Sequence, residues 1–499
     1  MFDYLAGTTV TGFFCMGLAS AGALLFGIDN GWWGTLLGAE EFLRTYGSCE
    51  TVNGVHLCSL STAQQSAGSS VQSAGIMAGS LISISVNNWL GRRNSLLVTG
   101  VISIIGVLIE ITSAVGASAR FSQLVVGKTI AALAMGLCAN VVPIYLSETS
   151  TATARGFAVT MYSNAQVLGS IVAAGTVYAT SKRMDAGCYY IPIGIQLLPP
   201  LCMIIGSPFL PESPRWLVLK GQTERAVVAS SRLFASKRNN FDAQAYVRTI
   251  EVAIEEERLS QQSSGWMDLL RGSDLRRLLI AIGVQCLCQA QGSTYILNYV
   301  VSFLKSAGIA DVFPVIMGIY SLYYVGILGG HYLPDRFGRR SLLMSTAGIC
   351  GVCLLTIAIM ITAIASPTAA SRKAAIALIF IWELMFAVQS TVIWIVTTEC
   401  APSRNREKVL AIAVFFGFGI SLLVASVSPY LQDEAYGNLG GKIGFIWGTF
   451  SIIAVIWTFF TVPEMKGFSL EELDHLFNRQ VPTLRFKRYQ FPVENGPEK

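Results

Sequence analysis

Charge is what this sequence has least of. Of 499 residues, 13% are charged and 53% are hydrophobic, and the mean hydropathy is +0.55. A soluble globular chain carries about 25% charged residues, and so few charges cannot cover a water-facing surface of this size. A soluble domain is excluded. Intrinsic disorder, which needs low hydrophobicity, is excluded for the opposite reason. Histidine is scarce, at three residues. No nucleophile constellation, metal-ligand spacing or phosphate-cradling glycine loop stands out, so neither an enzyme nor a metal or cofactor site is expected. No Asn-x-Ser/Thr sequon is present. The net charge of +5 makes no case for nucleic acid, because the basic residues sit in loops between apolar runs. Most of the 11 cysteines lie inside apolar runs, where Cys behaves as a small hydrophobe. Cys350 and Cys353 form a CxxC, but within such a run and without a nearby histidine. Cys49 and Cys58 differ: they lie in a polar loop and would pair if that loop met an oxidising compartment.

What is abundant is long apolar runs. A span needs about 20 mostly apolar residues. Twelve are expected, near 11–37, 64–88, 94–116, 121–147, 156–180, 190–210, 276–304, 312–333, 341–364, 374–400, 408–430 and 440–461. The first lacks a basic leader and is too long for a cleaved signal, so it reads as a retained helix. The expectation is an all-α membrane protein in four parts. A six-helix bundle (1–210) is followed by a polar linker (211–275) with a helical-looking run EVAIEEERL at 251–259, a second six-helix bundle (276–461) and a polar tail (462–499). The short loops hold nearly equal numbers of Lys and Arg on the two sides, so they do not orient the chain by themselves. The long linker and tail are richer in Lys and Arg and place both termini in the cytosol.

The chain also repeats itself. LGRRNSLL at 90–97 resembles FGRRSLL at 337–343. Glu148 and Arg155 are spaced like Glu399 and Arg406, and PESPR at 211 has a counterpart in PEMKG at 463. The offsets are 247, 251, 251 and 252, which points to two similarly oriented halves. Parallel halves with a site between them near the midplane are a transporter plan.

These residues carry a family resemblance. LFGIDNG (25–31), PIYLSETSTATARG (143–156), PESPRWL (211–217), DRFGRR (335–340), Trp394 with Glu399, Pro402 and Arg406, and PEMKG (463–467) together resemble the sugar-porter branch of the major facilitator superfamily, over the whole chain. The resemblance implies twelve helices in two pseudo-symmetric bundles that move a sugar or polyol, with or without protons. It implies a multi-pass plasma-membrane protein, monomeric, with lipid, protons and a small solute as its partners. Arg92, Glu148, Arg155, Glu212, Arg339, Glu399, Arg406 and Glu464 would form a cytosolic gate of ion pairs. Asn88 stands where the second half has Asp335, which would weaken the first-half network.

Asp29 is the most telling charge inside a span, since a carboxylate there costs roughly 2.5–3.5 kcal/mol on insertion scales. Lys128 lies at a matching depth, which permits a salt bridge. By resemblance, Asp29 takes the proton and Lys128 replaces an arginine. Glu110 and Glu383 are two further acids in spans, assigned neither to an ion path nor to Ser/Thr neighbours. The solute site implied by the resemblance comprises Gln289, Thr294, Asn298 and Trp394, with Ser163 and Gln166 in span five. Here the usual pattern thins: Cys288 replaces a glutamine, Ser163 another, and Gly417 a further amide. A solute other than a sugar, such as a quinate-like acid or an exported metabolite, is the second reading. A non-transporting nutrient sensor is a third.

Overall fold

The computed structural model describes residues 9–52, 55–115, 119–151, 155–235, 241–262, 269–306, 312–364, 368–402, 405–468 and 470–489. Nineteen α-helices and one small hairpin are found among them. In the first half, α1 (Val10–Leu36) is started by Thr9, whose hydroxyl accepts from Gly12 N at 3.0 Å. A short α2 (Glu40–Tyr46) leads into β1 (Ser48–Val52) and β2 (Val55–Ser59), an antiparallel pair with Cys49 opposite Cys58. These two cysteines form a disulfide, as their position in a polar loop suggested. Ser61 and Gln64 then build a reciprocal capping box that starts α3 (Thr62–Leu90). The long helices α4 (Arg92–Thr112), α5 (Phe121–Thr149) and α6 (Arg155–Thr180) follow.

The sixth span differs from the single helix expected. It consists of α7 (Gly187–Gly194), a 3₁₀ turn, α8 (Leu198–Gly206) and a second 3₁₀ turn. Pro192, Pro199, Pro200 and Pro208 account for this, since each removes an amide donor from the ladder. The linker carries α9 (Pro214–Leu219), α10 (Thr223–Phe234) and α11 (Ala243–Gln262), the last containing the EVAIEEERL run.

In the second half the seventh span is also broken. It divides into α12 (Gly272–Ala290) and α13 (Ser293–Ser306) at Gly292, whose φ is +85°. That left-handed conformation suits glycine and ends a helix. The half continues with α14 (Phe313–Phe337), α15 (Arg339–Ala363), α16 (Ala369–Cys400), α17 (Arg406–Gln432) and α18 (Ile443–Thr461), and the tail adds α19 (Leu470–Asn478). Ten helical stretches among the described residues are long and apolar enough to cross a membrane. With α6 and the broken pair α12–α13 they make two sets of six.

Lipid supplies no hydrophobic drive between helices, so close contact depends on small residues. Gly75 and Gly79 let α3 lie on α5: a Cβ at Gly79 would stand 2.1 Å from the Leu133 carbonyl oxygen. Gly27 plays the same part between α1 and α6, with the Gln166 carbonyl 1.8 Å from where a Cβ would be. The helix ends define two sides of the molecule. One carries the disulfide hairpin. The other carries the turns Gly91–Arg93 and Gly338–Arg340.

The halves meet toward the hairpin side. Thr62 on α3 hydrogen-bonds Asp433 just beyond α17. Ser66 Oγ donates to Ser426 O at 2.8 Å, and Ser73 and Ser421 share a hydrogen bond at 3.0 Å. Tyr299 on α13 reaches both Gln65 O (3.2 Å) and Ala425 O (3.1 Å).

Candidate functional site

Three buried charges come together in the first half. Asp29 sits on α1, Lys128 on α5 and Glu110 on α4, exposed to 3%, 0% and 0% respectively. Asp29 Oδ1 accepts from Trp32 Nε1 at 3.2 Å. Lys128 Nζ lies 4.7 Å from the Trp32 ring centre and 4.4 Å from that of Trp33. Desolvated cation–π contacts of this kind contribute about 2 kcal/mol. The direct salt bridge expected between Asp29 and Lys128 does not form: no ion pair within 4.0 Å joins them, and Lys128 Nζ has no hydrogen-bond acceptor among the described residues. The physical reason lies one turn beyond Asp29, where two indoles offer their faces to the ammonium.

Glu110 belongs to this group, which the sequence reading left open. It is an electrostatic neighbour of both Asp29 and Lys128. A Cβ at Gly127, next to Lys128, would stand 2.8 Å from Glu110 Cγ. Glu110 Oε2 accepts from Gln196 Nε2 at 3.3 Å, while Oε1 is unpartnered. Its partner is thus an amide, not the Ser or Thr neighbours considered. The available signal was the short connection between α4 and α5, which sets residues near their facing ends side by side.

The solute residues expected on span seven flank the break. Gln289 Oε1 accepts from Ser293 Oγ (3.1 Å) and Thr294 Oγ1 (3.3 Å). Thr294 Oγ1 pairs with Ser421 Oγ at 2.8 Å, and Ser421 with Ser73 across the seam. An amide and three hydroxyls therefore link α12, α13, α17 and α3. Asn298 Nδ2 is turned back onto Thr294 O at 3.0 Å. Gln285 Nε2 donates to Thr397 Oγ1 at 3.1 Å, and its Cβ fills the space beside Gly417, 3.1 Å from where that residue's Cβ would be. Ser163 and Gln166 are half-buried on α6. Trp394 on α16 is 48% exposed, apart from the hydrogen-bonded chain.

The arginine turns repeat almost atom for atom. Arg92 holds Glu148 through Nε (2.9 Å) and Nη2 (3.0 Å), and its backbone N donates to Glu212 Oε1 at 2.9 Å. Arg339 holds Glu399 through Nε (3.2 Å) and Nη2 (2.9 Å), and its backbone N donates to Glu464 Oε1 at 2.8 Å. Gly91 (φ +86°) and Gly338 (φ +89°) make room: a Cβ on either would stand 2.4 Å from the carboxylate of Glu212 or Glu464. Burial pushes the Glu212 carboxyl above its ordinary value, against the backbone donors of Ser213, Arg93 and Arg92. Arg339 gains a third partner, Asp335, at 3.1 Å. Asn88 gives Arg92 no such partner. These pairs lie within each half rather than between halves. Arg406 Nε is buried without a hydrogen-bond partner, and the Arg155 side chain lies outside the described residues.

Two six-helix bundles repeated in parallel, a polar seam between them and buried charges in the spans define a membrane transport protein, not an enzyme. The family model described as Sugar (and other) transporter matches residues 14–477, and the chain belongs to that family. It is 28% identical to the probable glucose transporter rco-3 of Neurospora crassa, covering 98% of this chain and 83% of the relative. It is 30% identical to the high glucose sensor RGT2 of Saccharomyces cerevisiae, over 82% of this chain and 54% of the sensor. Its fold matches the xylose transporter XylE of E. coli in an inward open conformation, with a TM-score of 0.74, 22% identity and coverage of 93% and 99% of the two chains.

Proposed function

We propose that this protein imports a sugar or polyol across the plasma membrane by alternating access, in symport with protons, and that its arginine side faces the cytosol. The halves are joined by hydrogen bonds along the hairpin side, so the conformer described is closed to the outside. The disulfide supports this orientation, since it needs an oxidising compartment. In the opposite conformer the arginine side closes. The pairs Arg92–Glu148 and Arg339–Glu399, with Arg155, Arg406, Glu212 and Glu464, then form the gate. Exposed pairs contribute only about 0–1 kcal/mol each, but several together bias a two-state equilibrium.

The observation that carries the coupling is the buried group of Asp29, Lys128 and Glu110. Protonating Asp29 removes one of two negative charges facing Lys128. The ammonium then favours Glu110, and α1 is freed from α5. The experiment is uptake by the purified protein in liposomes, with labelled glucose, fructose, xylose, myo-inositol and quinate, at pH 5 and pH 7.5. Saturable uptake of a sugar, faster at pH 5 and abolished by an uncoupler, is the expected result. Asp29→Asn should lose accumulation against a gradient and keep sugar exchange. Concentrative uptake by that variant would remove Asp29 from the mechanism.

One observation favours a second reading: small residues, Ser163 and Gly417, stand where amides would hold a hexose. Quinate uptake with no sugar uptake would select it. The sensor reading has less support, because residues 470–489 are packed onto the bundle.

A further inference from the structure

Glu383 lies at the middle of α16 and is 1% exposed. None of the buried charges above touches it. No Lys, Arg or His among the described residues lies within ion-pair distance, and its Oε2 has no hydrogen-bond partner. Its surroundings can be read off three elements. Gly318 of α14 rests on Phe380, and Gly326 on Leu384 and Ala387, which brackets Glu383 between Tyr320 and Tyr323 of the same helix. Cys350 Sγ of α15 donates to Trp382 O at 3.6 Å, one residue away. Cys288 of α12 shares Tyr323 and Cys350 with Glu383 as electrostatic neighbours. The groups facing the carboxyl are therefore two phenols and two thiols.

Three further buried polar atoms near it have no partner: Trp382 Nε1, Gln389 Oε1 on the same helix, and Tyr295 OH of α13. Buried polar groups are nearly always paired, and an unpaired one calls for an explanation. Here both donors and acceptors are unpaired. A hydroxyl is the group that satisfies both kinds. Tyr320 and Thr35 of α1 line one cavity at the seam between the halves, and Cys288 adjoins Gln289 in the chain of hydroxyls. The carboxyl thus stands beside the route between the halves, on the wall where Cys288 offers no amide.

We infer that Glu383 is a solute-contacting, specificity-determining residue, whose carboxyl takes a hydrogen bond from one hydroxyl of a polyhydroxylated solute. It supplies the polar contact that Cys288 does not, from the opposite helix. This rests on the transport of a hydroxylated solute proposed above.

The test is a matched set of deoxy analogues against Glu383→Leu and Glu383→Gln in liposomes. In the wild type, removing one particular hydroxyl should raise KM at least tenfold. In Glu383→Leu the KM for the full solute should rise by a similar factor, with kcat within about threefold, and removing that same hydroxyl should cost nothing more. Glu383→Gln keeps an acceptor and should retain most of the discrimination; if Glu383→Leu does not fold, this variant is scored by whether it alters the penalty at one hydroxyl only. Wild-type and variant proteins ranking all analogues alike would overturn the assignment while leaving sugar transport standing. Absence of saturable sugar or polyol uptake by the wild type would overturn both. A variant that only flattens the pH dependence, with the analogue ranking unchanged, would make Glu383 a proton site and also overturn it.

Discussion

Arg92 and Arg339 each grip a glutamate with two nitrogens, a geometry that lysine cannot reproduce. Arg339→Lys should therefore lower the melting temperature of the detergent-solubilised protein although the charge is kept. The effect should be smaller for Arg92→Lys, because Arg92 lacks the third carboxylate that Asp335 gives Arg339. Gly338→Ala places a methyl against the Glu464 carboxylate at a backbone angle unsuited to alanine, and strain of that type costs of order 1–3 kcal/mol. It should lower the melting temperature as well, read by the same assay. These residues were legible in the sequence because each turn recurs at nearly one spacing and its partners sit in the same repeat. Glu110 and Glu383 were visible as buried acids but not as participants. Their meaning depends on Lys128, Gln196, Tyr320 and Tyr323, which come from other helices and leave no local pattern.

At the scale of elements, hydropathy marks where a span lies but not whether it is continuous. Span seven reads as one apolar run across α12 and α13, and its break rests on Gly292, one glycine among 47. The broken end is locally secured: Gln291 Nε2 donates to Leu287 O at 3.1 Å, and Gln289 receives the hydroxyls of Ser293 and Thr294. Trp447 of α18 packs where a Cβ on Gly292 would stand, 2.6 Å away. Gly292→Ala should therefore reduce uptake at least tenfold, since α13 carries Tyr299 and its contacts with both α3 and α17. Surface labelling of the same cells should show the variant in near-normal amount. The disulfide hairpin was legible from two cysteines in a polar loop, and its strand register was not.

For the molecule as a whole, the two-bundle architecture was legible because the repeats and the twelve apolar runs agree. The conformer was not, because the sequence must encode both. The seam contacts identify α3 and α17 as partners in the state described, and Ser66 lies 2.8 Å from the Ser426 carbonyl. The double variant Ser66→Cys, Ser426→Cys should cross-link under oxidation and stop uptake, with recovery on reduction; continued transport by the cross-linked protein would show that this seam does not open. The tail bears on a different stage of the protein's life. Arg277 of α12, 1% exposed, bonds Cys400 O (2.6 Å) and Asp474 of α19 (2.5 Å), while Arg276 reaches Val481 O and Thr483 Oγ1, both at 2.9 Å. The ribosome makes α12 some two hundred residues before α19. Throughout that interval a guanidinium destined for burial lacks its carboxylate, so the second bundle cannot complete its arginine side until synthesis is almost finished. Removing one partner of a buried pair costs about 3–5 kcal/mol. A chain halted before residue 470 would carry that deficit permanently, and quality control could recognise it as unfinished even with every span inserted.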